Sequence, residues 1–229
     1  MNSKLLEPAL TVILGVTVLL CAGCSRNESI TGSNQIIGSG RLLSVPRVVG
    51  TFVGIRVTNF AKVLIVQDST ESLTIETDNN ILDRVQTSVS NGILLVGLED
   101  GSYSNITLNV HATMRTIRLL ESIGAADFQT VVPIHVDTLV CRIAGAGNVV
   151  LAGSVTREVV EIVGAGNIHS FDLTSASCFA SISGTGNIDV NVTQQLDAFI
   201  SGAGTITYDG HPAVVNQTVT GAGSVRPRQ

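Results

Sequence analysis

Tryptophan is missing from this chain, and aromatic residues make up only 3% of its 229 positions. A sugar platform of stacked rings would have little to draw on beyond Tyr103, Tyr208 and a few Phe. Lysine is scarce as well: Lys4 and Lys62 are the only two, which excludes a polybasic patch for an anionic membrane. A net charge of −5 and a pI near 5.3 exclude a nucleic-acid surface, which needs clustered Lys and Arg. Charged residues amount to 14% of the chain, and proline to 5 positions. The apolar run from Ala9 to Leu20 falls short of the roughly 20 residues a spanning helix requires. What the chain does have is glycine, 23 of them, arranged in an order.

The order is a repeat. Ile143-Ala144-Gly145-Ala146-Gly147-Asn148-Val149 returns with Gly164 and Gly166, with Gly184 and Gly186, with Gly202 and Gly204, and with Gly221 and Gly223. A worn copy around Gly124 comes first, with Ala126 in place of the second glycine. First glycines at 124, 145, 164, 184, 202 and 221 give a period near 20, the mark of a β-solenoid whose coils stack. Two residues before the first glycine stand Ile143, Ile162, Ile182, Ile200 and Val219. Four before it stand Cys141, Val160, Ala180, Ala198 and Gln217, and six before it Leu139, Glu158, Cys178, Leu196 and Val215. The intervening positions are mostly polar (Arg142, Glu161, Ser181, Asp197, Asn216), with Phe179 and Phe199 as apolar exceptions. This is strand alternation with one buried face. Four residues after the glycine, Phe128, Val149, Ile168, Ile188, Ile206 and Val225 open a second strand inward.

The Gly-x-Gly therefore marks a corner between two strands. Glycine is expected there because it reaches positive φ and because coils about 4.8 Å apart leave little room at a bend. Asn148, Asn167 and Asn187 follow the glycines in successive coils and are expected to form an amide ladder along the axis. A dinucleotide-binding loop is excluded, since that fold uses its glycine fingerprint once, with a third glycine and a following helix.

Residues 1–23 read as an export signal, with Lys4 ahead of the apolar run and small residues after it. Leu20-Cys21-Ala22-Gly23-Cys24-Ser25 resembles a bacterial lipobox, which makes Cys24 the expected site of lipid attachment. Residues 24–40 are polar and Gly/Ser-rich, as in a flexible tether. The domain proper runs over 41–229, irregular in 41–120 and regular in 121–226. In the irregular part, strands are expected at Phe52 to Thr58, Ala61 to Gln67, Leu73 to Thr77, Gln86 to Val89, Ile93 to Leu98 and Ile106 to His111. A short helical turn is expected around Ile81 to Val85, and the whole part is read as the atypical, capping end of the same solenoid.

The stretches Phe52-Val53-Gly54-Ile55-Arg56-Val57, Ser72 to Leu82 and Val89 to Val96, together with the Gly-x-Gly-Asn-Ile repeats, resemble the head GIN domain family. The resemblance spans roughly Gly38 to Val225. It implies an all-β, right-handed β-helix-like solenoid, similar to pectin-lyase-type folds, on envelope proteins that often carry lipoprotein signals. It also implies adhesion, and it brings no catalytic residues to this chain.

Chemistry is sparse. His111, His135, His169 and His211 share no column and show no metal-ligand spacing, with His169 expected to face solvent. Cys141 and Cys178 sit inward two coils apart, roughly 9–10 Å by strand spacing, so two buried free thiols are expected. Asp172, Asp189, Asp197 and Asp209 occupy different offsets, and Arg142 and Arg157 lack a carboxylate cluster beside them. No metal, cofactor or catalytic residue is expected. The sequence points to an exported, lipid-anchored, non-enzymatic envelope protein, with outer-membrane anchoring, that binds an extracellular or envelope ligand or itself. A carbohydrate-active enzyme on the same scaffold and a passive structural component are the alternatives. At the C-terminal end, Arg226, Pro227 and Arg228 are expected to block further stacking, which would leave the lateral faces and the N-terminal half for contacts.

Overall fold

Val, Ile and Leu at alternate positions favour extended backbone, and the computed structural model, which describes residues 35–229, is strand almost throughout. Among the described residues the one helical element is a single 3-10 turn, Leu82–Arg84, inside the stretch expected to turn. The strands of the irregular part are β1 (Ile36–Ile37), β2 (Leu42–Pro46), β3 (Gly54–Val57), β4 (Phe60–Gln67) and β5 (Ser72–Asp78). They continue with β6 (Val85–Ser90), β7 (Ile93–Leu98), β8 (Tyr103–Ser104) and β9 (Leu108–Met114). The regular part holds β10 (Leu119–Ser122), β11 (Ala125–Thr130), β12 (Ile134–Ile143) and three long strands that run through a bend. These are β13 (Ala146–Ile162), β14 (Ala165–Ile182) and β15 (Thr185–Ile200), followed by β16 (Ala203–Asp209), β17 (Val214–Val219) and β18 (Ala222–Pro227).

Successive coils pair parallel and in register. Leu139 lies against Glu158, Glu158 against Cys178, Cys178 against Leu196 and Leu196 against Val215, so each inward column is a physical stack. About five coils repeat in this way, with a spacing of roughly 20 residues. Each coil has two limbs. One precedes the Gly-x-Gly corner and the other follows it, and their inward faces meet in a single core that includes Ile143, Ile162, Ile182, Ile188 and Ile200. Each such side chain contributes roughly 1.5–3 kcal/mol over exposure.

The irregular part turns out to contain rungs of the same stack. β3 and β4 sit directly on β10 and β11, and by register Asn59, Phe60 and Ala61 stand where Gly-x-Gly stands elsewhere. The next rung outward is β7 with β9, later in sequence yet further from the repeats. Beyond it the direction reverses: β6 lies antiparallel on β7, β5 antiparallel on β9, and β2 antiparallel on β5. These reversed strands cover the N-terminal end of the core, burying Leu73, Ile75 and Val85.

The tether expected over residues 24–40 is packed in its last part. Ile36 pairs with Tyr103, and the Gly40 N–H donates to Asp78 Oδ1 at 2.7 Å. The reason is Asp78, a carboxylate only 1% exposed, which needs donors and finds them in Gly40 and in the Thr107 N–H at 2.8 Å. The signal segment, Cys24 and the rest of the tether lie outside the described residues.

Candidate functional site

The ten corner glycines form two columns with different reasons for being glycine. In the first column, a Cβ on Gly145 would collide with the carbonyl oxygens of Gly124 and Ile123 in the coil below. Gly164, Gly184, Gly202 and Gly221 meet the same obstacle, each against the preceding first glycine. None of these five has a left-handed φ, so the expectation of positive φ is corrected here: close stacking alone selects glycine. In the second column Gly147 (φ 133°) and Gly186 (φ 148°) do adopt a conformation that L side chains avoid. Gly166, Gly204 and Gly223 share that column, each under the carbonyl of its predecessor.

Coil one shows how the corner survives a lost glycine. Ala126 adds a methyl group, fully buried, and the inward residue two before the corner shrinks from Ile to Ser122. Ser122 Oγ accepts the Ala126 N–H at 3.0 Å and donates to Ala146 O at 2.8 Å, bridging two coils. The distortion expected of this coil is local: β11 pairs with β4 without interruption, and pairing with β13 lapses only at Ala126 and Asp127.

Beside the corner, Asn187 Nδ2 donates to Asn167 Oδ1 at 3.1 Å and Asn167 Nδ2 to Asn148 Oδ1 at 3.0 Å. Asp127 ends the row, accepting from both the backbone N–H (2.8 Å) and the side-chain Nδ2 (3.1 Å) of Asn148. The row is exposed, and its amides are consumed by one another, which leaves little for a ligand.

The second bend of each coil builds a different surface. There Gly153 (φ 130°) lets the chain pass over Ile134, a requirement the repeat did not reveal because Leu173 occupies the next coil. Above this bend lies an open groove of about 1180 Å3 that reaches from Gln67 to Thr193 across successive coils. Its floor column is His135, Ser154 and Thr174, aligned by strand register. Gln67 anchors one end as a strand would, accepting the His135 N–H at 2.6 Å and donating to His135 O at 3.0 Å. His135 Nδ1 lies 2.8 Å from Ser154 Oγ. Arg118 and Asp137 bring one charge of each sign, and hydroxyls supply most of the remaining polarity.

The other histidines are scattered. His169 is half-exposed as expected, with Nδ1 2.8 Å from Asp189 Oδ2, and His111 Nε2 is 3.8 Å from Glu76 Oε2. His211 sits at a positive φ of 55° in the turn before β17. Among the described residues, no three His, Cys, Asp or Glu side chains are placed to hold a metal ion. Cys141 and Cys178 are free and buried.

One buried acid was visible in the sequence only as an odd member of an apolar column. Glu158 has no exposure, and neither carboxyl oxygen has a hydrogen-bond partner. Burial raises its pKa from 4.5 to about 7, partly offset by Ser170, Cys178 and Ser175 beside it. The serine protons are engaged elsewhere, Ser170 Oγ donating to Asp189 O at 2.8 Å and Ser175 Oγ to Asn191 O at 3.1 Å. Cys141 and Cys178 are pushed well above the usual thiol range, first by burial and then by Glu158, so neither is a ready thiolate.

Residues 51–212 match the family described as "Putative auto-transporter adhesin, head GIN domain", and the chain belongs to that family. Among solved structures, a putative adhesin from Bacteroides fragilis NCTC 9343 is 22% identical, with a TM-score of 0.71, over 84% of this chain and 100% of its own. A putative lipid binding protein from Parabacteroides distasonis ATCC 8503 is 20% identical, with a TM-score of 0.55, over 85% and 100%. A putative adhesin from Parabacteroides merdae ATCC 43184 is 21% identical, with a TM-score of 0.52, over 85% and 99%. At these identities the likeness is one of fold. No curated protein matches the chain.

Proposed function

We propose that this chain is an exported, lipid-anchored cell-envelope protein that binds a surface or extracellular ligand through its lateral face and catalyses no reaction. The observation that carries the reading is the open groove over the second bend, assembled from several coils and lined by hydrogen-bonding groups of nearly balanced charge. Such a surface offers many weak polar contacts along a rigid scaffold, which suits recognition of an extended ligand. The family's description as an adhesin supports binding, and two of the compared structures are named adhesins. Anchoring rests on Cys24: acylation there, with two chains on the lipid, holds a protein at a membrane where one chain would not.

Two experiments test this. Probing arrays of glycans and matrix proteins with the purified chain should show retention that Thr156→Trp, filling the groove, reduces roughly tenfold or more. Retention insensitive to that change, or none at all, would remove the groove from the proposal. Cys24→Ser should abolish incorporation of labelled fatty acid and release the protein from the membrane fraction, and equal labelling of both forms would refute the anchor. The enzymatic alternative draws on the His135–Ser154 pair, the arrangement of a base beside a nucleophile. Turnover of a polysaccharide or ester that Ser154→Ala abolishes would establish it in place of the binding role.

A further inference from the structure

Both ends of the solenoid finish in strands that have a single partner. At the N-terminal end these are the antiparallel strands β2 and β6, and at the C-terminal end, among the described residues, β17 pairs with β15 alone and β18 with β16 alone. Each therefore presents an unpaired row of backbone N–H and C=O groups, with Val214 47% and Val219 40% exposed at the rim. Protein edges are usually blunted by charge, proline or a bulge. β18 has two of these devices, Arg226 and Pro227. β17 has none: Val214-Val215-Asn216-Gln217-Thr218-Val219 is uncharged, free of proline, and pairs with β15 through six residues without a register shift. The blocked end expected from the sequence is thus blocked on one limb only.

The pattern of β17 also says what fits it. Its inward row, Val215, Gln217 and Val219, continues Leu196, Ala198 and Ile200 and reads the same in both directions. Its outward residues Asn216 and Thr218 flank Gln217 symmetrically. In an antiparallel pair related by a two-fold axis, opposed residues share a face only if the axis passes through a residue position. With the axis at Gln217, Val215 opposes the second copy's Val219, Gln217 opposes its own counterpart amide to amide, and Asn216 opposes the second copy's Thr218. All three pairings match like with like. Arg228 does not obstruct the approach, because it is folded sideways onto Asp209 (3.3 Å) and over the ring of Phe171 (4.4 Å).

We propose that β17 is a homotypic docking strand, through which two copies of this chain pair antiparallel about Gln217 and join their solenoids end to end. The inward faces then run on as one core, and because the two-fold contact uses β17 of both copies it is isologous and closes at two copies. The inference is independent of what the lateral groove binds.

Sedimentation velocity of the full chain in detergent micelles tests it. The wild type is expected to be dimeric at micromolar concentration. Gln217→Lys, which sets two ammonium groups face to face, should raise the dissociation constant roughly tenfold or more, while Ser183→Lys at an exposed corner leaves it unchanged. Both lysine variants should melt as the wild type does at dilutions where all are monomeric, because both positions are exposed. A second measurement locates the axis. In a chain with Cys21 and Cys24 replaced by serine, Gln217→Cys should form a covalent dimer with added diamide, the two thiols giving up two protons and two electrons to the reagent. Asn216→Cys, which does not oppose itself, should cross-link far less. A wild type that stays monomeric, a dimer indifferent to Gln217→Lys, equal cross-linking at 216 and 217, or association only with another protein would each overturn the proposal.

Discussion

Gly184→Val is expected to lower the melting temperature by roughly 10 °C or more, while Ala146→Ser stays within about 2 °C of the wild type. The valine Cβ would enter the space of the Gly164 and Val163 carbonyl oxygens, which are backbone atoms with no freedom to swing aside. Relief would require opening the corner ladder, in which the Ser183 N–H donates to Ile162 O and the Thr185 N–H to Gly164 O, both at 2.9 Å. The coil above would suffer too, because the Ala203 N–H donates to Gly184 O at 2.9 Å. A solenoid is held together by contacts between neighbouring coils, so a mid-array break weakens two interfaces at once. The cost should exceed about 4 kcal/mol, in the range that marks a severe steric conflict. Ala146 is exposed at the same corner, so its change to serine controls for position alone. Calorimetry of the three proteins decides the matter, and coincident transitions would mean that the corner is not tightly stacked.

The columns that define this core were legible because each inward position repeats five times, which averages out exceptions such as Gln217. Strand boundaries in the irregular part were legible to within two or three residues for β3 to β7 and for β9, since turn residues such as Asn91-Gly92 bracket them, while β1, β2 and β8 were not foreseen. The order of the rungs was not. β7 stacks outside β3, and β9 outside β4, through parallel pairing across roughly forty residues, and no local pattern encodes which pair lies outermost. The corner glycines were found, and of their two expected causes lack of room between coils holds while positive φ fails for the first column, because which glycine meets a neighbouring carbonyl is a property of two coils and not of one sequence window. Gly153 went unnoticed for the same reason, being a single glycine with no copy in register. The groove escaped as well. Its residues keep a fixed spacing, His135, Ser154 and Thr174 each standing ten before a first glycine, but a column of small polar side chains reads as an ordinary exposed face and gives no sign of a concave one.

Replacing Glu158 by leucine should stabilise the protein above neutral pH and flatten its pH dependence. The side chain stands between Leu139 and Cys178 in an otherwise apolar column, so leucine matches its neighbours in shape and polarity. In the folded protein the carboxyl titrates near 7, against 4.5 in an ordinary environment, because burial penalises the charged form. Below about pH 4.5 the group is protonated whether the chain is folded or not, and it takes nothing from stability. Between 4.5 and 7 the unfolded chain releases the proton while the folded chain keeps it, so stability falls as pH rises. Above 7 both states are ionised, and the accumulated loss is about 3 kcal/mol, from the linkage of 1.36 kcal/mol per unit. Leucine removes this slope along with the unpaired carboxyl oxygens, and replacing buried ionisable groups by apolar ones of similar volume is often stabilising. Urea unfolding of wild type and Glu158→Leu at pH 5 and pH 8 reads the difference directly. The wild type should lose stability between the two pH values by a few kcal/mol more than the variant, and parallel losses would show that Glu158 is not neutral in the folded core.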